Sequence, residues 1–177
     1  PDDDNDSIYN KDDACPKEAG TLENKGCPNV DADSDGVVDK DDICPNEAGT
    51  AENQGCPANP KSMVDFIAKV ENVILFSTSN SFLDRTHDTL LNEISNLLKK
   101  YPNISIQIAG HASTDGSSAY NQNLSNERAA NVKKALVQQG IESSRLKVIG
   151  FGEGNPSNSN ETSIGRAKNR RVTLSIQ

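Results

Sequence analysis

Residues 2–28 recur as residues 31–57, a shift of 29 positions that leaves 17 of 27 residues identical. That repeat limits what the first third of the chain can become. Its larger apolar residues are only Ile8, Tyr9, Leu22, Val30, Val37, Val38 and Ile43. Ordering a residue costs roughly 1–2 kcal/mol of chain entropy, which so few apolar groups cannot offset. The repeat therefore needs staples, either covalent or metallic.

Both kinds of staple are written into it. The second copy carries oxygen ligands at Asp31, Asp33, Asp35, Asp39 and Asp42, loop positions 1, 3, 5, 9 and 12, with Gly36 at position 6. This is EF-hand calcium-loop spacing with Asp in place of Glu at position 12, and Val37 would add its backbone carbonyl. Carboxylates this dense repel one another unless a hard cation sits among them. A solvated acidic run is the plainer alternative, but it gives no reason to place oxygen ligands on one spacing twice. The first copy offers Asp2, Asp4, Asp6, Asn10 and Asp13, with Ser7 where the glycine belongs, so a weaker or deformed site is expected there. Cys-Pro follows each loop where an EF-hand would continue as a helix.

Cys15, Cys27, Cys44 and Cys56 belong to the same repeat, at spacings of 12, 17 and 12. An even count in a core-poor segment points to disulfides and an oxidising compartment. Pairing within each copy respects the repeat, while Cys27–Cys44 across copies is the rival. Zinc would favour Cys-x-x-Cys spacing, which is missing. With these features, DADSDGVVDKDDICP resembles the thrombospondin type 3 repeat. The resemblance implies a calcium-wrapped, disulfide-stapled stalk over residues 1–57.

Charge changes sign near residue 60. Residues 1–60 hold 16 acids against 4 bases, a net of −12, while residues 61–177 hold 10 against 14, a net of +4. Residues 58–70 read as a linker and lead-in, marked by Pro60, with a short helix over 63–70 as one option. From residue 71 the pattern alternates strands and helices. Val73–Phe76 reads as a buried central strand. Asp84 serves as the cap of a helix whose stripe is Leu90, Leu91, Ile94, Leu97 and Leu98. Ile104, Ile106 and Ile108 form a half-buried strand. A second helix carries Ala129, Val132, Ala135 and Leu136 and stops at Gly140. Leu146–Ile149, a short helix near 165–169 and the alternation Val172, Leu174, Ile176 complete a two-layer α/β sandwich of βαβαβ type with a mixed sheet, much of it parallel.

Candidate ligand groups gather between Gly110 and Ala130. Taking Ser125 as the N-cap places Arg128 in the first turn of the second helix. There its planar fork and the helix N-terminus suit a carboxylate. Asn121 can donate and accept, and Asp115 offers a partner for an ammonium group. Together they describe an amino-acid-like ligand. From the residues alone, Arg128 is read equally well as a structural residue paired with Glu127, Glu161 or the carboxyl end of another element.

GHASTDGSSAYNQNLSNERAANVKKALVQQGI, then RLKVIGFGEGNP, then GRAKNRRV, resemble the peptidoglycan-associating domain shared by outer-membrane protein A, peptidoglycan-associated lipoprotein and flagellar stator proteins. The resemblance covers residues 71–177. It implies a non-catalytic domain that holds the diaminopimelate of the cell-wall stem peptide, with Arg128 and Asn121 at matching positions. That family reads Gly-His-Thr-Asp, whereas here Ser113 occupies the Asp position and Asp115 lies two residues on. Either Asp115 replaces the missing carboxylate or Ser113 hydrogen-bonds the ligand more weakly.

No nucleophile–base pair or catalytic metal spacing is present. His111 reads as a packed loop residue and His87 as an exposed helix residue. Arg166, Lys168, Arg170 and Arg171 lack the aromatic platform of a nucleic-acid surface; some of them can line a ligand groove. No apolar run is long enough for a membrane-spanning helix. The chain begins at Pro1 and reads as a periplasmic piece of a longer exported protein, joined to the outer membrane by a barrel or lipid anchor. The expected role is tethering of outer membrane to peptidoglycan, with calcium repeats as spacer. A calcium-dependent adhesion protein is the alternative.

Overall fold

A computed structural model describes residues 1–70 and 74–177. Val73, expected to open the first strand, lies outside the described residues. The chain divides into two compact units, Pro1–Ala58 and Asn59–Gln177.

The first unit has almost no regular structure. It contains 3-10 turns at Leu22–Asn24 and Ala51–Asn53, one per copy of the repeat. Cys15 is bonded to Cys27 and Cys44 to Cys56, the pairing within copies. Backbone bonds reinforce each closure: Ala14 N donates to Lys25 O and Ile43 N to Gln54 O. Ile8, Cys44, Cys56 and the carboxyl-bearing Asp13 are its buried side chains, so cystines and acids occupy the place of a core.

The second unit contains α1 (Lys61–Val70), β1 (Ile74–Leu75), α2 (Asp88–Lys100), β2 (Ile106–Gly110), α3 (Ser118–Gln138), β3 (Leu146–Gly150), α4 (Ser163–Asn169) and β4 (Arg171–Ile176). The sheet order is β1-β4-β2-β3. Strands β2 and β3 pair in parallel, while β4 is antiparallel to both of its neighbours, β1 and β2. Two expectations are corrected here. The sheet is mixed with a single parallel pair of neighbours, because β4 is inserted between β1 and β2 and runs against both. The first strand lies at an edge, with Leu75 turned outward, so its unbroken apolar run does not mark a central strand.

One face of the sheet buries Ile106, Ile108, Leu146, Val172 and Leu174, while Gln107, Lys147 and Ser175 lie on the other. Helices α2 and α3 pack against each other through the stripes Leu90, Leu91, Ile94, Leu98 and Leu124, Ala129, Val132, Leu136, and α3 covers β2 and β3. Arg145 ties the far end together, donating to Ile104 O, Leu98 O and Tyr101 O at 2.8 Å each. Those acceptors include a carbonyl in the last turn of α2, which has no partner inside the helix.

His87 is corrected from exposed to buried. Its Nδ1 accepts from Asp84 N and its Nε2 donates to Leu75 O, so it closes the turn that Asp84 caps and fastens that turn to β1. The spacing 87, 90/91, 94, 98 places it on the buried stripe of α2.

Gly110 sits where α3 crosses the end of β2. A Cβ there would lie 1.9 Å from Ser125 O. Because the obstacle is helix backbone, Gly110→Ala must push α3 off the sheet. A loss of about 2–3 kcal/mol is expected, read as a lower denaturation midpoint with unchanged slope.

Candidate functional site

Helix α3 begins eight residues earlier than its apolar stripe indicates. Ser117 is the N-cap, its Oγ accepting from Tyr120 N at 3.2 Å. Ser125 lies inside the helix; its Oγ donates to Gln122 O and accepts from Gly152 N. Arg128 is therefore in mid-helix, away from the positive end, which corrects the first-turn assignment.

Its side chain is fully buried. Nε donates to Asn80 O at 2.9 Å, Nη1 to His111 O at 2.8 Å and Nη2 to Ser77 O at 3.2 Å, and the guanidinium lies over the Phe76 ring. Three segments thus meet on one cation: the loop after β1, the end of β2, and α3. Burial first, and the charge of Arg170 second, lower its pKa to about 10, which still leaves it protonated at neutral pH. Asn121 is buried one turn before Ser125, and its amide donates to Glu153, bracing the loop after β3.

The open cleft lies beside this buried post. Thr78, Asp115, Ser163, Arg166 and Arg170 line a cavity of about 230 Å³. Asp115 Oδ1 is 3.0 Å from Arg166 Nε, and its Oδ2 is 3.5 Å from Arg170 Nη1. Ser113, itself buried, donates its hydroxyl to Asp115 Oδ2 at 2.8 Å. The two candidates for the missing carboxylate are therefore one hydrogen-bonded unit. Both arginines are also held by backbone: Arg166 Nη1 by Asn160 O and Arg170 Nε by Phe76 O. Of the ligand residues expected from sequence, Asp115 lines the cleft and Ser113 supports it, while Arg128 holds the loop that carries Thr78 and Asn121 braces the loop after β3. Arg166 and Arg170 had no role assigned individually. The available signal was the cluster of bases Arg166, Lys168, Arg170 and Arg171 at the end of the closing helix.

His111 is buried against Phe151, with Nε2 3.2 Å from Thr173 Oγ1. Burial, and then the charge of Arg171, depress its pKa to about 4, so it is neutral at pH 7. It is a packed residue, as expected.

Residues 75–170, just over half of the chain, match the OmpA family. The chain belongs to that family. An outer membrane porin F from Pseudomonas fluorescens is 35% identical over 111 residues, covering 63% of this chain and 34% of the porin. A peptidoglycan-associated lipoprotein from Agrobacterium fabrum is 34% identical over 99 residues, 56% of each chain. The crystal structure of the peptidoglycan-associated lipoprotein from Burkholderia pseudomallei superposes with a TM-score of 0.57 at 27% identity, covering 59% of this chain and 88% of that one. The chain thus spans a third to just over half the length of these two curated relatives. The four-stranded mixed sheet with its helices is the OmpA-like fold.

The arm lies outside that match and has its own candidate sites. In the second copy Asp31 accepts from Ser34 N and Gly36 N, Asp35 from Val37 N and Gly49 N, Asp39 from Ala32 N, and Asp42 from Cys44 N. Asp31, Asp33 and Asp35 each bring a carboxylate oxygen within 4.8 Å of the other two. One oxygen of Asp33 and one of Asp42 are cut off from solvent and accept no hydrogen bond. The Asp33 carboxyl is held above the ordinary carboxylate range, first by lost solvation and then by neighbouring acids, with the bond from Asp35 N opposing.

The first copy reproduces the set. Asp2 accepts from Asn5 N and Ser7 N, Asp6 from Ile8 N and Gly20 N, Asn10 from Asp3 N, and Asp13 from Cys15 N, while Asp4 and Asp13 carry the orphaned oxygens. The loop is not deformed. Ser7 takes up φ +75° where Gly36 has +93°, a left-handed conformation that costs a residue with a side chain about 1 kcal/mol or more.

Proposed function

We propose that the second unit anchors an outer-membrane protein non-covalently to peptidoglycan, binding the diamino acid of the stem peptide in the Asp115–Arg166–Arg170 cleft. The observation that carries this reading is the cleft itself: two backbone-braced arginines and one carboxylate around a space of amino-acid size, in a domain whose relatives include peptidoglycan-associated lipoproteins. Arg128 contributes from behind, by holding the loop that carries Thr78 and by adding positive charge. No catalytic role is assigned to any of these groups. Many weak contacts from many copies suffice for anchoring, since avidity multiplies them.

In this reading residues 1–57 are two thrombospondin type 3-like repeats that hold calcium and act as the spacer. The donor set fits that ion. Calcium takes six to eight oxygens in flexible geometry, and each copy presents a carboxylate cluster with two buried oxygens that nothing else satisfies. Asp31, Asp33, Asp35, Asp39 and Asp42 would hold one ion, with the Val37 carbonyl. Asp2, Asp4, Asp6, Asn10 and Asp13 would hold another, more weakly because of Ser7. When bound, calcium supplies charge neutralisation and cross-linking of the loop. The chain's place is the periplasmic side of the outer membrane; among the described residues no helix is long and apolar enough to cross a membrane.

Co-sedimentation with purified sacculi tests the anchoring. The parent protein is expected in the pellet, and Arg166→Gln/Arg170→Gln in the supernatant with its far-ultraviolet helix signal retained at the assay temperature. Equal pelleting of both proteins would remove the cleft from the function. Parent protein that stays soluble would remove peptidoglycan, and favour adhesion through the repeats instead.

A further inference from the structure

The cleft does not hold charges in balance. Arg166 and Arg170 face it, and Arg128 lies behind, close enough to Arg170 that their charges oppose each other. Against these three cations stands Asp115. Its carboxylate already accepts from Ser113 and pairs with both Arg166 and Arg170. An ammonium group brought to Asp115 would compete with two guanidinium groups and be repelled by both. A carboxylate brought to the same place would meet donors in a fixed fork geometry. Both arginines keep their backbone anchors, Asn160 O and Phe76 O, whichever anion they hold.

We infer that the cleft recognises its ligand through a carboxylate alone, with Asp115 acting as a built-in competitor for that carboxylate rather than as the acceptor of the ligand's ammonium group. This rests on the peptidoglycan reading above and narrows it. The free amine of the diamino acid is the group consumed when stem peptides are cross-linked. A site that ignores the amine binds cross-linked and free peptides alike, and so finds ligands over the whole wall. The same site discriminates against peptides whose diamino-acid carboxylates are amidated.

The test is titration calorimetry on the full chain with three synthetic peptides. The first is L-alanyl-γ-D-glutamyl-meso-diaminopimelate. The second carries an acetylated side-chain amine, and the third has the carboxylates of the diamino acid amidated. The acetylated peptide is expected to bind within twofold of the first, and the amidated one at least tenfold more weakly. Asp115→Asn is expected to bind the first peptide no less tightly than the parent does, and Arg170→Gln at least tenfold less. A tenfold loss on acetylation, or more than a fivefold loss in Asp115→Asn, overturns the inference and returns Asp115 to the ammonium. Pelleting with sacculi but binding none of the peptides overturns it while sparing the anchoring. Failure to pellet at all takes both down.

Discussion

Arg128→Met is expected to lower the melting temperature of the second unit by about 15 °C. Methionine keeps most of the length and apolar volume of the arginine stem but donates nothing. The carbonyls of Asn80 and His111 then lose the guanidinium as donor, while Ser77 O keeps its bond from Asn80 N. Each unsatisfied buried carbonyl costs about 1–3 kcal/mol. Some relaxation leaves a net loss on the order of 4 kcal/mol, large for a point substitution. Over a unit of about 120 residues that corresponds to the shift given. The far-ultraviolet helix signal of the full chain reports on this unit, since among the described residues all four α-helices lie within it. Arg128→Lys is expected to recover only part of the loss, because one ammonium cannot reach three carbonyls held in a fork. If Arg128→Met melts with the parent, the guanidinium is not a structural post, and its place behind the cleft needs another explanation.

The same residue shows why the fold was more legible than the site. The buried face of α3 runs Asn121, Leu124, Ser125, Arg128, Ala129, Val132, Leu136, a regular helical spacing throughout. Its second half is apolar and was read correctly. Its first half is buried through polar groups that find partners in loops far away in sequence, and no hydrophobic periodicity records that. The helix start was accordingly placed at Ser125 instead of Ser117, and Arg128 was credited with a terminus it does not occupy. His87 failed for a related reason: its burial depends on two hydrogen bonds, to Asp84 and Leu75, that close a turn.

The edge position of β1 and the antiparallel β4 are properties of long-range pairing, which a local apolar run does not encode. Strand alternation at Ile106 and Ile108, the α2 stripe and the Gly140 stop are local, and each appears in the structure, with Ser95 buried in α2 where Leu97 was expected. In the cleft, Asp115 is visible in the sequence as an acid in a small-residue loop, suited to an ammonium group. Its partners Arg166 and Arg170 lie 51 and 55 residues away, and only the fold brings them to it.

Chelating calcium is expected to loosen residues 1–58 while leaving residues 59–177 ordered. The arm has no apolar core to fall back on, and its disulfides close only two short loops. Between those loops the chain is held by backbone N–H groups bonded to carboxylates, and those carboxylates repel one another. Without a cation, the buried oxygens of Asp33 and Asp42 oppose the folded loop; with one, the same oxygens become ligands. Hydrogen exchange distinguishes the two conditions: protection factors of Gly36, Val37 and Gly49 amides are expected to fall at least tenfold on chelation. Asp33→Asn separates a metal site from an ordinary acidic surface. It removes one charge but keeps an oxygen able to accept from Asp35 N. In chelator its second loop should be better protected than the parent's, and calcium should add little. An arm equally protected with and without calcium, and unchanged by Asp33→Asn, would mean that the cystines and turns hold it alone. The acidic repeat would then serve charge, not coordination.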